Sequence, residues 1–414
     1  MLLLMTSFFV FIVFCNRYFF GLFLKRSRGK RFERVNPAYK PQVTVVVPVY
    51  NEGSGIYNGI VSILEQDYPS EKLNVYVVDD CSVDDSLSWA CRAAALAPSR
   101  VRILQNPENV GKRLGILQAV RGTDAEIVVS VDSDVILDRG AIRVLVSRFA
   151  DEKIGAVGGH VRVQNASENW ITRMQAIRYY FAYEYFKNLE RAFSSVLCLS
   201  GCLTAYRRKV LIELDPVLRN RSVLRVPIKY GEDRYLTRQI LKAGYKTFLT
   251  LEAVCWTVVP NTLAKFWSQQ LRWRRSVFID FLGGLTHVWK LHPFVTLNYA
   301  AIFAMELAYP VGIAVGLASG MFWALAYFHL AVLTILGILY GIDTRQWPRE
   351  ERVHPVWFLA MALVMPAIYL LLTPLALFTL DSSSWETRSH SRGLHNPLAG
   401  KGPAPAKPRR VTQA

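Results

Sequence analysis

Ile127-Val128-Val129-Ser130-Val131-Asp132-Ser133-Asp134 decides the fold of this chain. The first five residues are apolar apart from one serine and mostly β-branched. So short an apolar run suits a strand buried on both faces. Two carboxylates follow at once, spaced so that both side chains leave an extended backbone on the same side. A carboxylate pair at a strand end can hold a divalent cation against a diphosphate.

Upstream, the same pattern repeats. Residues 43–47 form a β-branched run ending at Pro48, residues 75–78 end at Asp79-Asp80, and residues 101–104 form a third run. Helix-like stretches over 56–66 and 112–121 lie between them. Buried strands alternating with helices predict an α/β domain with a mostly parallel sheet flanked by helices. In such sheets ligands bind beyond the carboxyl ends of the strands. Asn51-Glu52, Asp79-Asp80 and Asp132-Ser133-Asp134 are all expected at that edge.

The chain has 414 residues, is 52% hydrophobic and carries a net charge of +17. Its apolar residues concentrate at both ends. Much of the basic excess lies beside those apolar segments, as in Lys25-Arg26-Ser27-Arg28-Gly29-Lys30-Arg31, rather than on one folded module. That placement suits positive cytoplasmic flanks of membrane spans, and no nucleic-acid partner is expected. The six cysteines show no CxxC pair, so zinc is not expected, and reduced cytosolic thiols are.

Residues 1–24 are long enough to cross a hydrocarbon core of about 30 Å. The alternative is a signal peptide, but no basic n-region precedes the apolar run. An N-terminal transmembrane anchor is therefore expected, with the basic cluster inside. Residues 41–291 compose the α/β domain. Residues 294–380 form a C-terminal membrane region, with apolar stretches at 294–318, 321–340 and 356–380. The basic residues after the last stretch, among them Arg388, Arg392, Lys401 and Arg409, predict a cytoplasmic C-terminus, and so a segment at 356–380 that re-enters or forms two short helices bent at Pro366 or Pro374. Residues 389–414 are rich in Pro, Gly, Lys and Arg and are expected to be disordered.

Two later clusters complete the chemistry. Gly231-Glu232-Asp233-Arg234 supplies an acid that can cap a helix, act as a general base, or do both. Gln269-Gln270-Leu271-Arg272-Trp273 supplies polar, cationic and aromatic groups suited to phosphate and a sugar ring. The alternative is a basic amphipathic helix lying in the membrane interface.

As a set, these motifs resemble the inverting family 2 glycosyltransferases of the GT-A fold. The resemblance rests on Val47-Pro48-Val49-Tyr50-Asn51-Glu52, Asp79-Asp80, Asp132-Ser133-Asp134, Gly231-Glu232-Asp233-Arg234 and Gln269-x-x-Arg272-Trp273. The last element is similar to that of the processive branch: cellulose, chitin and hyaluronan synthases. Asn109-Val110-Gly111-Lys112-Arg113 narrows the resemblance to hyaluronan synthases and NodC-type chito-oligosaccharide synthases. Trp385-Glu386-Thr387-Arg388 resembles the family's closing Trp-Gly-Thr-Arg. This chain departs from the family at Leu199-Ser200-Gly201-Cys202, at Cys81 after Asp79-Asp80, and at Glu386.

The resemblance implies roles residue by residue. Asp80 contacts the uridine, Lys112 the nucleotide, and Asp132 the donor. Asp134 ligates Mg²⁺ or Mn²⁺. Asp233 is the base on the acceptor hydroxyl. Arg272 holds the diphosphate, while Trp273 and Gln269 serve the acceptor. Trp385, Thr387 and Arg388 gate the site. The expected enzyme is a multi-pass plasma-membrane protein with a cytoplasmic GT-A domain and transmembrane helices at both ends. Its partners are UDP-sugar donors, a growing β-linked polysaccharide and the lipid bilayer. The expected donors are UDP-GlcNAc with UDP-glucuronate, as in hyaluronan synthesis. The alternatives are a chitin-type product from UDP-GlcNAc alone, or a single transfer to a lipid carrier.

Overall fold

The computed structural model describes residues 36–380, except 224, 225 and 229. The expected anchor at 1–24, the closing motif Trp385, Thr387 and Arg388, and the basic tail at 389–414 lie outside the described residues.

Four strands follow the sequence pattern: β1 (Val43–Val49), β2 (Leu73–Asp79), β3 (Val101–Gln105) and β4 (Ile127–Val131). They form a parallel block in the order β3-β2-β1-β4. Helices α1 (Gly55–Leu64), α2 (Ser86–Ala94) and α3 (Lys112–Arg121) connect them. Because β2, β1 and β4 are parallel neighbours, their carboxyl ends share one edge.

The remaining strands are β5 (Ile136–Leu137), β6 (Ile154–Val163), β7 (Leu203–Arg207) and β10 (Lys246–Thr257), with a separate hairpin of β8 (Ser222–Val223) and β9 (Val226–Pro227). Here the expected mostly parallel sheet is corrected to a mixed one. β7 runs antiparallel to both β4 and β6, and β5 runs antiparallel to β10. β6 and β10 pair in parallel. All five residues of β7 are buried. An apolar run reports burial on both faces, not strand direction, so the sequence pattern cannot distinguish the two.

α4 (Ala141–Ser147) precedes β6. α5 (Trp170–Phe181) follows β6, starts with a capping box at Asn169 and Thr172, and continues through a π-helical turn at Ala182–Lys187 into α6 (Asn188–Arg191). α7 (Arg208–Arg219) and α8 (Glu232–Lys242) flank the sheet, and α9 (Leu263–Gly284) leads toward the apolar helices. The largest core is built on the sheet, including Val45, Val77, Val129, Val157 and Ala205.

Among the described residues, three helical stretches are long and apolar enough to cross a membrane: Pro293–Ala318, Phe322–Gln346 and Pro355–Phe378. They contain α10 (Pro293–Ala318), α11 (Phe322–Asp343) and α12 (Phe358–Phe378). α12 is continuous across Pro366 and Pro374, which corrects the expected break. Neighbouring helices offset the lost backbone bond of a proline in such segments. The amphipathic alternative for α9 is also modified. Phe266, Leu271 and Phe278 of α9 pack between Ile171 and Met174 of α5 and Ile368, Leu372 and Ala376 of α12. Both ends of α12 meet the α/β domain. Phe358 packs edge-on to Phe181 at 5.7 Å, and past the other end Leu380 O accepts from Tyr230 OH at 2.8 Å.

Candidate active site

One cavity of about 530 Å³ opens at the carboxyl edge of the sheet. Asp80, Lys112, Asp132, Asp134, Asp233, Gln269, Arg272 and Trp273 all line it. The eight residues named for donor, metal, base and acceptor therefore converge, although in sequence they run from Asp80 to Trp273.

Lys112 sits at the centre. It begins α3, so the chain delivers its ammonium at the helix start beside the strand ends. Its Nζ donates to Asp132 and pairs with Glu232 Oε1 at 3.3 Å. Burial opposes the charge, but Asp132 and then Glu232 outweigh it and raise the lysine's pKa above its ordinary range. A Cβ on residue 201 would lie 2.5 Å from this Nζ, so Gly201 permits the close approach.

Asp134 Oδ2 accepts from Thr257 Oγ1 at 3.2 Å, tying the acidic turn to the end of β10. Between the two acids, Ser133 Oγ donates to Glu52 Oε2 at 2.7 Å. The Val47–Glu52 motif thus braces the turn that presents Asp132 and Asp134. Asp80 holds the neighbouring loop: its carboxylate accepts from Gly111 N at 2.7 Å, Val110 N at 2.9 Å and Asn106 Nδ2 at 2.9 Å. The preceding turn is strained, because Cys81 has φ +64°, a left-handed conformation that favours glycine.

Asp233 lies in the first turn of α8 and lines the cavity. The cap position belongs to Gly231, at φ +65°, so the helix-capping alternative for Asp233 does not hold. A Cβ at Gly231 would lie 2.0 Å from Ser276 Oγ of α9. That tight seat fixes the direction in which Glu232 and Asp233 leave the loop. Asp233 Oδ1 accepts from Arg234 N at 2.8 Å, and the Cys198 thiol lies 3.9 Å from Oδ2. Burial pushes Cys198 up to about 12, and burial followed by Asp132 raises Cys202 as well.

α9 supplies the opposite wall. Trp273 faces Tyr179 of α5, with ring centroids 6.4 Å apart, and Tyr179 stacks on Tyr183 at 6.4 Å. These three rings make an aromatic strip suited to the apolar faces of sugars. Gln269 accepts from Gln270 at 3.3 Å, and Gln270 accepts from Arg178 at 2.8 Å.

Sequence reasoning missed Glu232 as the second partner of Lys112, the α5 aromatics, and Cys198 and Cys202 as cavity walls. The π-helical turn at Ala182–Lys187 was not legible. Such insertions occur often at functional sites.

Asp132 and Asp134 offer hard oxygens on one wall. Among the described residues, no group of three or more His, Cys, Asp or Glu side chains is arranged to hold an ion unaided. Two carboxylates nevertheless fit Mg²⁺ or Mn²⁺, since such ions take one or two protein carboxylates plus substrate phosphates and water.

Residues 41–276 match the family described as Glycosyltransferase like family 2. The chain is 33% identical over 353 residues to an N-acetylglucosaminyltransferase of Rhizobium meliloti (strain 1021), covering 84% of this chain and 82% of that protein. It is also 33% identical over 364 residues to an N-acetylglucosaminyltransferase of Mesorhizobium japonicum, covering 86% and 84%. In fold it is similar to a mannosyltransferase from Pyrobaculum calidifontis solved in complex with GDP-Man and Mn2+, with a TM-score of 0.60 and 24% identity over 90% of this chain and 99% of that one. The domain has the GT-A-like fold that the motif resemblance implied, and the chain is an enzyme that belongs to glycosyltransferase family 2.

Proposed function

We propose that the protein is a processive, inverting transferase that builds a β-linked GlcNAc oligosaccharide from UDP-GlcNAc at the cytoplasmic face of the plasma membrane. The observation that carries this is the convergence of Asp132, Asp134, Asp233, Arg272 and Trp273 on one cavity against the apolar helices. The relatives named N-acetylglucosaminyltransferase, aligned along most of the chain, support the choice of sugar.

In this scheme Asp80 and Lys112 seat the nucleotide, and Trp273 with Gln269 positions the acceptor. Asp233 takes the proton of the acceptor hydroxyl as its oxygen bonds to the anomeric carbon. The bond from that carbon to UDP breaks, and displacement from the opposite face inverts an α-linked donor to a β-linked product. Arg272 and Lys112 face the charge that develops on the departing diphosphate. When bound by Asp132 and Asp134, a divalent cation supplies further neutralisation of that charge.

Hyaluronan was the first product expected from sequence, and it requires a cation for the glucuronate carboxylate. Arg113, Arg234, Arg274 and Arg275 stand beside the motifs and are the arginines on which such a donor would draw. Arg113 donates to Ile228 O at 2.9 Å, Arg275 to Thr379 Oγ1 at 2.9 Å, and Arg274 to Glu306. Arg234 lines the cavity, but Asp233 and Asp280 already act on its charge. These commitments favour the neutral sugar, which places the chito-oligosaccharide ahead of hyaluronan.

One loop supports the proposed orientation. Arg345, Arg349 and Arg352 lie in the segment between α11 and α12. Trp347 of that loop carries Arg162 of β6 over its ring at 4.3 Å, and Glu351 pairs with Arg162. The loop and the catalytic domain therefore share a side, and short Arg-rich loops stay in the cytoplasm. Because α12 also returns to the domain at Tyr230, a cytoplasmic C-terminus is part of this proposal.

The test is incubation of the purified full chain with labelled UDP-GlcNAc, alone and with UDP-glucuronate, in Mn²⁺ or Mg²⁺ and in chelator. GlcNAc oligomers from UDP-GlcNAc alone, lost in chelator, are expected. Product that requires both donors would establish the hyaluronan alternative. A single transfer to lipid would overturn processivity.

A further inference from the structure

α10 is apolar along most of its length, yet Glu306 stands midway along it. An ionisable side chain in such a helix is costly and marks function. Glu306 lines the same cavity as the catalytic carboxylates, and Tyr369 is its counterpart on α12. Among the described residues, they are the only lining residues contributed by α10, α11 and α12.

Arg274 of α9, one residue beyond Trp273, closes the seam between these helices. Its Nη1 donates to Glu306 and to Thr373 Oγ1 of α12, the latter at 3.2 Å. Its guanidinium lies 3.8 Å over the Tyr369 ring, and Tyr369 OH donates to Glu306 at 3.4 Å. One side chain thus ties three helices together. Beyond the bridge, Tyr369 meets Tyr309 edge-on at 5.0 Å, and the Tyr309 hydroxyl bonds His329 of α11.

We propose that the Arg274–Glu306–Tyr369 bridge is the floor of the acceptor cleft and sets the length of the oligosaccharide. This rests on the GlcNAc-transferase function proposed above. A chain growing along the Trp273–Tyr179 strip advances toward α10 and α12 and meets the bridge. Passage requires the sugar hydroxyls to displace the Arg274–Glu306 contact and to part the rings beyond it. Net neutrality of the pair suits an uncharged sugar. Because the bridge is held by charge-assisted hydrogen bonds in a low-dielectric setting, it resists that displacement.

The experiment compares product lengths of wild type, Glu306→Gln and Thr373→Val by mass spectrometry, with the full chain in lipid nanodiscs. Samples are matched for total GlcNAc incorporated from UDP-GlcNAc, so a change in rate does not enter. Glu306→Gln removes the ion pair and is expected to shift the distribution to longer products. Thr373→Val removes one hydrogen bond at nearly constant volume, so it keeps the test open if Glu306→Gln does not fold. It is expected to shift lengths in the same direction, but less. Unchanged or shorter products in the folded variants overturn the length-setting role. A wild type that makes no GlcNAc oligomer overturns the function beneath it, and the length-setting role falls with it.

Discussion

Glu232 and Asp233 are adjacent acids in one helical turn, and the proposed mechanism gives them separable consequences. Asp233→Asn keeps size and shape, and its Oδ1 still accepts from Arg234 N, so the fold should persist. What it loses is proton acceptance. General-base groups contribute roughly 10²–10⁴-fold, equivalent to about 3–5.5 kcal/mol of barrier. The loss should fall on kcat, with UDP affinity retained. Glu232→Gln removes instead a charge 3.3 Å from Lys112 Nζ. At an effective dielectric of about 20 the gross attraction is about 5 kcal/mol. Asp132 still pairs with the lysine, and glutamine still accepts a hydrogen bond. The net loss is therefore about 1.5–3 kcal/mol, as for hydrogen bonds to charged groups. Where Glu232 holds the Lys112 ammonium in position for the diphosphate, losing that hold lowers donor affinity by up to roughly a hundred-fold. The assay is steady-state UDP release with varied UDP-GlcNAc, together with calorimetric UDP binding. Near wild-type kcat in Asp233→Asn would refute the assignment. So would a Glu232→Gln variant that loses kcat as steeply while its donor affinity stays intact.

Three further outcomes are expected. Trp273→Ala should depress oligomer synthesis more than UDP binding, because it removes the indole beside Tyr179. Equal loss of both would instead make Trp273 a support for the fold. Cys81→Gly should stabilise the protein by about 0.5–1 kcal/mol, since relief of left-handed strain exceeds the added freedom of the unfolded chain. A lowered melting temperature would count against that. At pH 7 iodoacetamide should label exposed Cys91 well before Cys198, whose thiol is pushed up to about 12 and stays protonated. Peptide mapping that finds Cys198 labelled first would contradict the buried environment.

Local chemistry was legible from the chain. The apolar runs at 43–47, 75–78, 101–104 and 127–131 each became a strand, because β-branched residues bounded by polar turns have few other ways to bury themselves. The strand-end acids followed, since parallel neighbours must share a carboxyl edge. Three apolar stretches became helices for a comparable reason: backbone groups in an apolar setting must be satisfied within the segment. Other features depend on which distant segments meet, and no local pattern records that. The direction of β7 is one, because burial leaves the same apolar signature either way. The uninterrupted course of α12 and its return to Tyr230 are another, since packing on α5 and α9 overrides two prolines. Lys112 finds Asp132 twenty positions away and Glu232 across the fold, and Arg274 finds Glu306 and Thr373. Residue types and strand ends decide what chemistry is possible here. Only the tertiary structure decides which charge answers which, because pairing energy depends on distances of a few ångströms between side chains that the sequence sets far apart.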